Sequence, residues 1–269
     1  MILSYAFLPG FAAAAIAAAT PAPVLLPSSE WTVDYREDEC LASRNYATLH
    51  GSLTFAVQPA PDGETYKLAV ILPHSASPNA EERRGIVDFG YGAIKAWLLS
   101  FGSKDGKSIV YQFRITAAEM AQAQPAGTVT LTAEGGLTVT LGLKDMPDLL
   151  GVLQHCTTDL MAYWNADGEK SGMIAAPSKG DVRSVFTADD YPADAVKMQQ
   201  EGSSQFRLMI DEKGLIAGCD VVVPSGIPVF DAMGCQVIKK KARFKPARDS
   251  RGNPVRSTVL TPPVNWRLE

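Results

Sequence analysis

The chain has 269 residues, 46% of them hydrophobic and 20% charged, with a formal net charge of -4 at pH 7. This length and balance leave room for one large or two modest cores and exclude a disordered polymer. The mild acidity argues against nucleic acid as a partner, because phosphate binders carry a basic excess.

Residues 2–19 form an uncharged apolar stretch interrupted by Pro9-Gly10 and followed by Thr20, Pro21, Ala22 and Pro23. With the small residues Ala17, Ala18 and Ala19 offering a cleavage site, residues 1–22 read as a signal peptide; left uncleaved, they would act as a membrane anchor. The usual basic leader is missing, since the first basic residue is Arg36. Export predicts a periplasmic protein, membrane-anchored if the segment stays attached.

Residues 31–36 alternate apolar with polar, as do Leu53, Phe55 and Val57, and both read as half-buried strands. Residues 66–72, 108–115, 128–133 and 137–143 add strands rich in Val, Ile, Leu, Tyr, Phe and Thr, with Pro-Asp-Gly, Lys-Asp-Gly-Lys and Glu-Gly-Gly turns near them. Thr116-Ala117-Ala118-Glu119 fits a capping box and predicts a short helix. A longer one follows, with Asp145 as its cap and Pro147 in its first turn. Its apolar stripe runs through Leu149, Val152 or Leu153, Cys156, Leu160 and Trp164. The expected β-rich domain spans residues 27–165 and closes with this helix. Residues 166–186 have the composition of a linker.

Cys40, Cys156, Cys219 and Cys235 form an even set without metal-site spacing, as expected of disulfides in an oxidising compartment. Four cysteines allow three pairings. The domain division favours Cys40 with Cys156 and Cys219 with Cys235, one clip per domain; four buried thiols are the alternative.

The pattern changes near residue 190. Tyr191-Pro192 opens a short helix through Ala195, Val196 and Gln199; residues 205–210 alternate as a strand; residues 211–214 turn; residues 215–223 return as a hairpin partner. A second helix follows, with Ser225 as cap, Pro228 near its start and Val229, Met233 and Val237 at i,i+4 spacing. After the turn at 249–252, Val264, Trp266 and Leu268 alternate in a last extended segment.

Tyr191-Pro192 with Ala195, the strand Phe206-Arg207-Leu208-Met209-Ile210, Ser225-Gly226, Phe230-Asp231, Ala242-Arg243-Phe244-Lys245-Pro246-Ala247, Gly252-Asn253-Pro254-Val255 and Pro263-Val264 before Trp266 occur in a telling order. Together they resemble the C-terminal domain of the TonB energy-transducer family over residues 187–269. The resemblance implies an α+β protein overall: the β-rich domain, then a small α/β domain of two helices on an antiparallel three-stranded sheet. It also implies a periplasmic role in energy-coupled transport, in which the domain recruits a segment of an outer-membrane transporter by strand addition. Val264, Asn265, Trp266, Arg267 and Leu268 would then offer the open edge. Pro262 and Pro263 would limit its pairing, or simply guard the edge against aggregation. That family's Pro-rich spacer has no counterpart here, where a β-rich domain stands instead. A second reading is therefore a structural or scaffolding module that binds cell wall or another envelope protein.

No catalytic constellation or cofactor motif is found, so neither an enzyme nor a cofactor is expected. His50, His74 and His155 lack metal-ligand spacing, Asp34, Glu37, Asp38 and Glu39 lack a calcium-loop pattern, and Gly90-Tyr91-Gly92 reads as a turn. Residues 239–269 hold nine Lys/Arg against Asp249 and Glu269, a net of +7 that leaves -11 for the rest. Lys239, Lys240, Lys241, Arg243, Lys245 and Arg248 are a candidate basic patch for cell-wall polymer or anionic lipid. Alternatively, they complement a helix dipole and the acidic first domain.

Overall fold

The computed structural model describes residues 23–49, 51–74, 80–103, 105–134 and 136–268. The expected signal segment and His50 lie outside them. Among the described residues no helix is long and apolar enough to cross a membrane.

The molecule is mixed α and β, strand-rich, with two hydrophobic cores. The first is enclosed by a ten-stranded sheet: β1 (Val24–Leu25), β2 (Thr32–Tyr35), β3 (Cys40–Thr48), β4 (Gly51–Pro59), β5 (Thr65–Pro73), β6 (Glu81–Asp88), β7 (Ala93–Gly102), β8 (Ser108–Thr116), β9 (Thr128–Ala133) and β10 (Leu137–Gly142). Their spatial order is β1-β10-β9-β6-β7-β8-β5-β4-β3-β2. The two ends of this sheet meet. β1 runs parallel to β10, and Pro27, just beyond it, bridges to Tyr46 on β3. The Tyr46 hydroxyl donates to the Gly142 carbonyl at 2.9 Å, and Arg44 Nη1 donates to the Lys144 carbonyl at 2.8 Å. Closing the sheet pairs backbone groups that an open edge would leave exposed. It also explains how Arg44, only 2% exposed, is tolerated: its charge is spent on carbonyls and on the face of Trp31, 4.7 Å away.

Period-two alternation places Leu53, Phe55, Leu98, Phe113, Leu131 and Leu141 inside. Helix α1 (Ala117–Met120) begins with the Thr116–Glu119 capping box. Helix α2 (Met146–Tyr163) lays Leu149, Leu153, Cys156 and Leu160 on the same core, whereas Val152 faces solvent. Asp145 precedes α2 but does not cap it: its φ of 61° puts it in the left-handed region, and its side chain makes no capping bond. Two strands on opposite sides of Gly90-Tyr91-Gly92, β6 and β7, add to those the sequence suggests.

Residues 166–186 are not a free tether. Helix α3 (Gly168–Ser171) is followed by bridges from Ala176 to Arg248 and from Lys179 to Lys245, and Val182 is buried in the second core. That core comprises α4 (Ala193–Lys197), β11 (Gly202–Ile210), β12 (Ile216–Val223), α5 (Pro228–Lys241), β13 (Ala247–Arg248), β14 (Pro254–Val255), β15 (Ser257–Leu260) and β16 (Val264–Trp266). The central strand β11 pairs with β12 on one side and with β15 and β16 on the other, so the sheet has four strands rather than three. Ser225 forms a local turn with Ile227, which occupies the N-cap of α5 without a side-chain bond. The inward stripe of α5 is Phe230, Gly234, Val237 and Ile238; Val229 is exposed.

The two cores are fastened together. Met209 projects from β11 into the first core, Lys67 pairs with Asp220 at 3.0 Å, and Arg207 pairs with Asp62 at 2.6 Å. Both ion pairs are largely shielded from water, which limits screening.

Candidate functional site

The strongest candidate is the outer edge formed by β15 and β16. Among the described residues both pair only with β11. Between them Thr261 donates its N–H to the Phe206 carbonyl at 2.8 Å and accepts the Phe206 N–H at Oγ1. The register shifts by one residue across Pro262 and Pro263, so the edge is one strand interrupted by a bulge. Proline lacks the N–H that a continuous ladder needs there.

Each sequence-predicted edge residue has a distinct place. Val264 and Trp266 point inward, each 4% exposed, while Asn265 and Arg267 face solvent. Trp266 stacks on Phe230 with centroids 4.9 Å apart and meets Tyr191 and Phe186 edge-on. This aromatic nest fixes the strand to the body of the domain. The strand is shorter than the sequence suggests and ends at Trp266. Beyond it, Glu201 accepts the Leu268 N–H at 2.8 Å and pairs with Arg267 at 3.3 Å, which closes that end of the edge. A cleft of about 510 Å³ runs beside β16, between Phe186, Tyr191 and Val196 on one wall and Val264, Trp266 and Leu268 on the other. The Trp266 indole N–H has no acceptor among the described residues.

At the other end the first core grips the edge. Asn165 Nδ2 donates to the Arg256 carbonyl at 2.9 Å, and the Arg256 guanidinium lies 3.9 Å from the Tyr163 ring centroid while pairing with Glu212. Residue 256 immediately precedes β15, so α2 anchors the start of the exposed strand. Nothing in the sequence linked Tyr163 or Asn165 to this edge, because they lie about ninety positions away.

The basic residues do not form one free patch. Lys241 bonds Asp190 at 2.6 Å and holds its carboxyl below the usual carboxylate range, helped by the Thr187 backbone and hydroxyl. Arg243 donates to the Lys240 and Ala242 carbonyls, and Arg248 to the Gly252 carbonyl. Lys239, Lys240 and Lys245 remain exposed, with no side-chain bond among the described residues. The cysteines pair as Cys40–Cys156 and Cys219–Cys235. His155 sits on the exposed face of α2 beside Asp159. Arg36 and Gln58 occupy the acidic run through Asp34 and Glu39. Among the described residues no group of three or more His, Cys, Asp or Glu is placed to hold a metal.

One carboxyl stands out between the two cores. Burial, reinforced by the nearby Asp231 charge and partly offset by Arg114, raises Glu82 from 4.5 to about 6. A carboxyl raised in the folded state gives its full stabilising contribution below the unfolded value and loses it as pH climbs through the folded one. Wild-type stability should therefore fall between about pH 4.5 and pH 6 relative to Glu82→Gln. Urea titrations of both proteins across that range check this; parallel profiles would contradict it.

No curated protein and no solved structure matches the chain. The open-edged sheet with its packed α5 has a counterpart in sequence: residues 187–268 match the family model of the Gram-negative bacterial TonB protein C-terminal.

Proposed function

We propose that this is an exported envelope protein whose C-terminal domain, residues 187–269, recruits an extended segment of an outer-membrane transporter as an added strand along β15 and β16, in support of energy-coupled transport. The observation that carries the reading is the edge itself. Among the described residues its strands pair on one side only, and a cleft lined by Phe186, Tyr191, Val196 and Leu268 together with Arg183 and Arg267 lies alongside for alternate side chains. Main-chain bonds would supply affinity and the cleft discrimination. The β-rich part, residues 27–165, acts here as a brace: by holding Arg256 it fixes where an incoming strand can begin.

The test is titration of the full mature chain with synthetic peptides from transporter N-termini, alongside copies N-methylated at alternate residues. Binding is expected at micromolar levels, with one methylation phase abolishing it and the other tolerated, because every second amide of an added strand faces its partner. Failure of the whole panel would overturn the reading. If the chain instead co-sedimented with cell wall and lost this on neutralising Lys239 and Lys240, the scaffolding role would take its place.

A further inference from the structure

A second groove, separate from the sheet edge, runs between the outer face of the first sheet and α5. Strand register builds its first wall. Lys67, Arg114 and Trp97 align across β5, β8 and β7, and in the adjacent row Glu82 opposes Leu99, which opposes Gln112. The facing wall is a stripe of α5 at i, i+3, i+4 and i+7: Pro228, Asp231, Ala232 and Cys235. The enclosed volume is about 230 Å³, enough for one long side chain and too small for a folded partner. Trp97 is 55% exposed at its mouth.

The charges in this groove do not balance. Lys67 is committed to Asp220. Glu82 and Asp231 then face each other with Arg114 as the remaining cation among the groove's lining residues; Arg84 on β6, which opposes Trp97, is exposed and outside that lining. Toward α4 the remaining charges are paired among themselves: Arg83 with Glu81, and Asp194 with Lys197. Asp231 Oδ1 is occupied by the Ser204 hydroxyl and the Ser225 N–H. Glu82 Oε2, by contrast, is shut off from solvent and has no donor among the described residues. A buried carboxylate oxygen without a donor is costly, and a ligand that supplies one recovers that cost.

We propose that this groove binds a lysine-type side chain of a peptide, its aliphatic stem lying along Trp97 and Leu99 and its ammonium seated between Glu82 and Asp231. Apolar walls ending in acid match a side chain with a four-carbon stem and a charged head. The indole face adds attraction for the cation.

The probe is Nα-acetyl-lysine methylamide, added to the full mature chain while the Trp97 indole resonance is followed by NMR. Saturable shifts are expected at neutral pH. They should weaken by about tenfold or more in Glu82→Gln, since a charge-assisted bond is lost. They should also weaken at pH 5, where Glu82 holds its proton. The norleucine analogue, which has the stem without the ammonium, should bind at least about tenfold more weakly. Equal binding of the norleucine analogue, or unchanged binding by a folded Glu82→Gln variant, would overturn the proposal. Neither outcome bears on the β15–β16 edge, which the transporter peptides test separately.

Discussion

Replacing Cys40 and Cys156 together with alanine should lower the unfolding free energy of the first core by about 4 to 5 kcal/mol in the chain-entropy view of cross-links. The bond joins the first residue of β3 to the middle of α2 across 116 positions, so its loss frees a very long loop in the unfolded chain. Both residues are almost fully buried, at 1% and 3% exposure, so the variant also leaves a small packing defect. α2 ends at Tyr163 with Asn165 just beyond it, and these two hold Arg256 at the start of β15. The damage should therefore spread to the edge strand. The second bond spans only 16 positions, and removing Cys219 and Cys235 should cost nearer 3 kcal/mol. Guanidinium unfolding without reductant checks the order, and equal losses for the two pairs would contradict it.

Gly214→Ala should strongly destabilise the second core, by about 3 to 5 kcal/mol from strain, clash and a lost hydrogen bond together. Gly214 ends the turn between β11 and β12 with a φ of +79°. A Cβ there would lie 1.9 Å from the Phe244 carbonyl oxygen, a backbone atom that cannot swing aside. Its own carbonyl accepts the Phe244 N–H at 3.0 Å, so relief of the clash breaks this bond and lifts Phe244 out of the core. Gly252 isolates the backbone term. Its φ is +84°, yet nothing lies within 4 Å of the added atom, and Gly252→Ala should cost only about 1 kcal/mol. Thermal unfolding of the two variants compares them directly; similar losses would mean that the Phe244 contact carries no weight.

How much of this was legible in the sequence depended on where the signal was stored. Strands β4, β8, β9 and β10 announce themselves because their inward residues are apolar at every second position. β6 does not, since Glu81, Glu82, Arg83 and Arg84 mask any alternation and its inward Gly85 contributes space rather than hydropathy. Helix α5 is legible only in part: Met233 packs on the core and Val237 is buried, as their spacing predicts, but Val229 is exposed and the helix also turns Gly234 inward, where a Cβ would collide with the Phe206 ring. Absence of a side chain is what lets Phe206 pack, and a hydrophobicity count cannot register it. The cap at Asp145 fails because residue type alone does not fix φ, and that at Ser225 because the helix starts later, with Ile227 at its N-cap. For the candidate site, Val264 and Trp266 were readable from alternation. The clamp on Arg256 and the Glu82 groove were not, because both form between segments far apart in the chain.

The central claim is that β15 and β16 receive an added strand. Backbone hydrogen exchange on the full chain, with and without a transporter peptide that binds, tests it most directly. Alternate amides within Ser257–Leu260 and Val264–Trp266 should gain protection, while the opposite edge along Ile216–Val223 stays unchanged. Binding that protects β12 instead, or that leaves both β15 and β16 unprotected, would contradict the account.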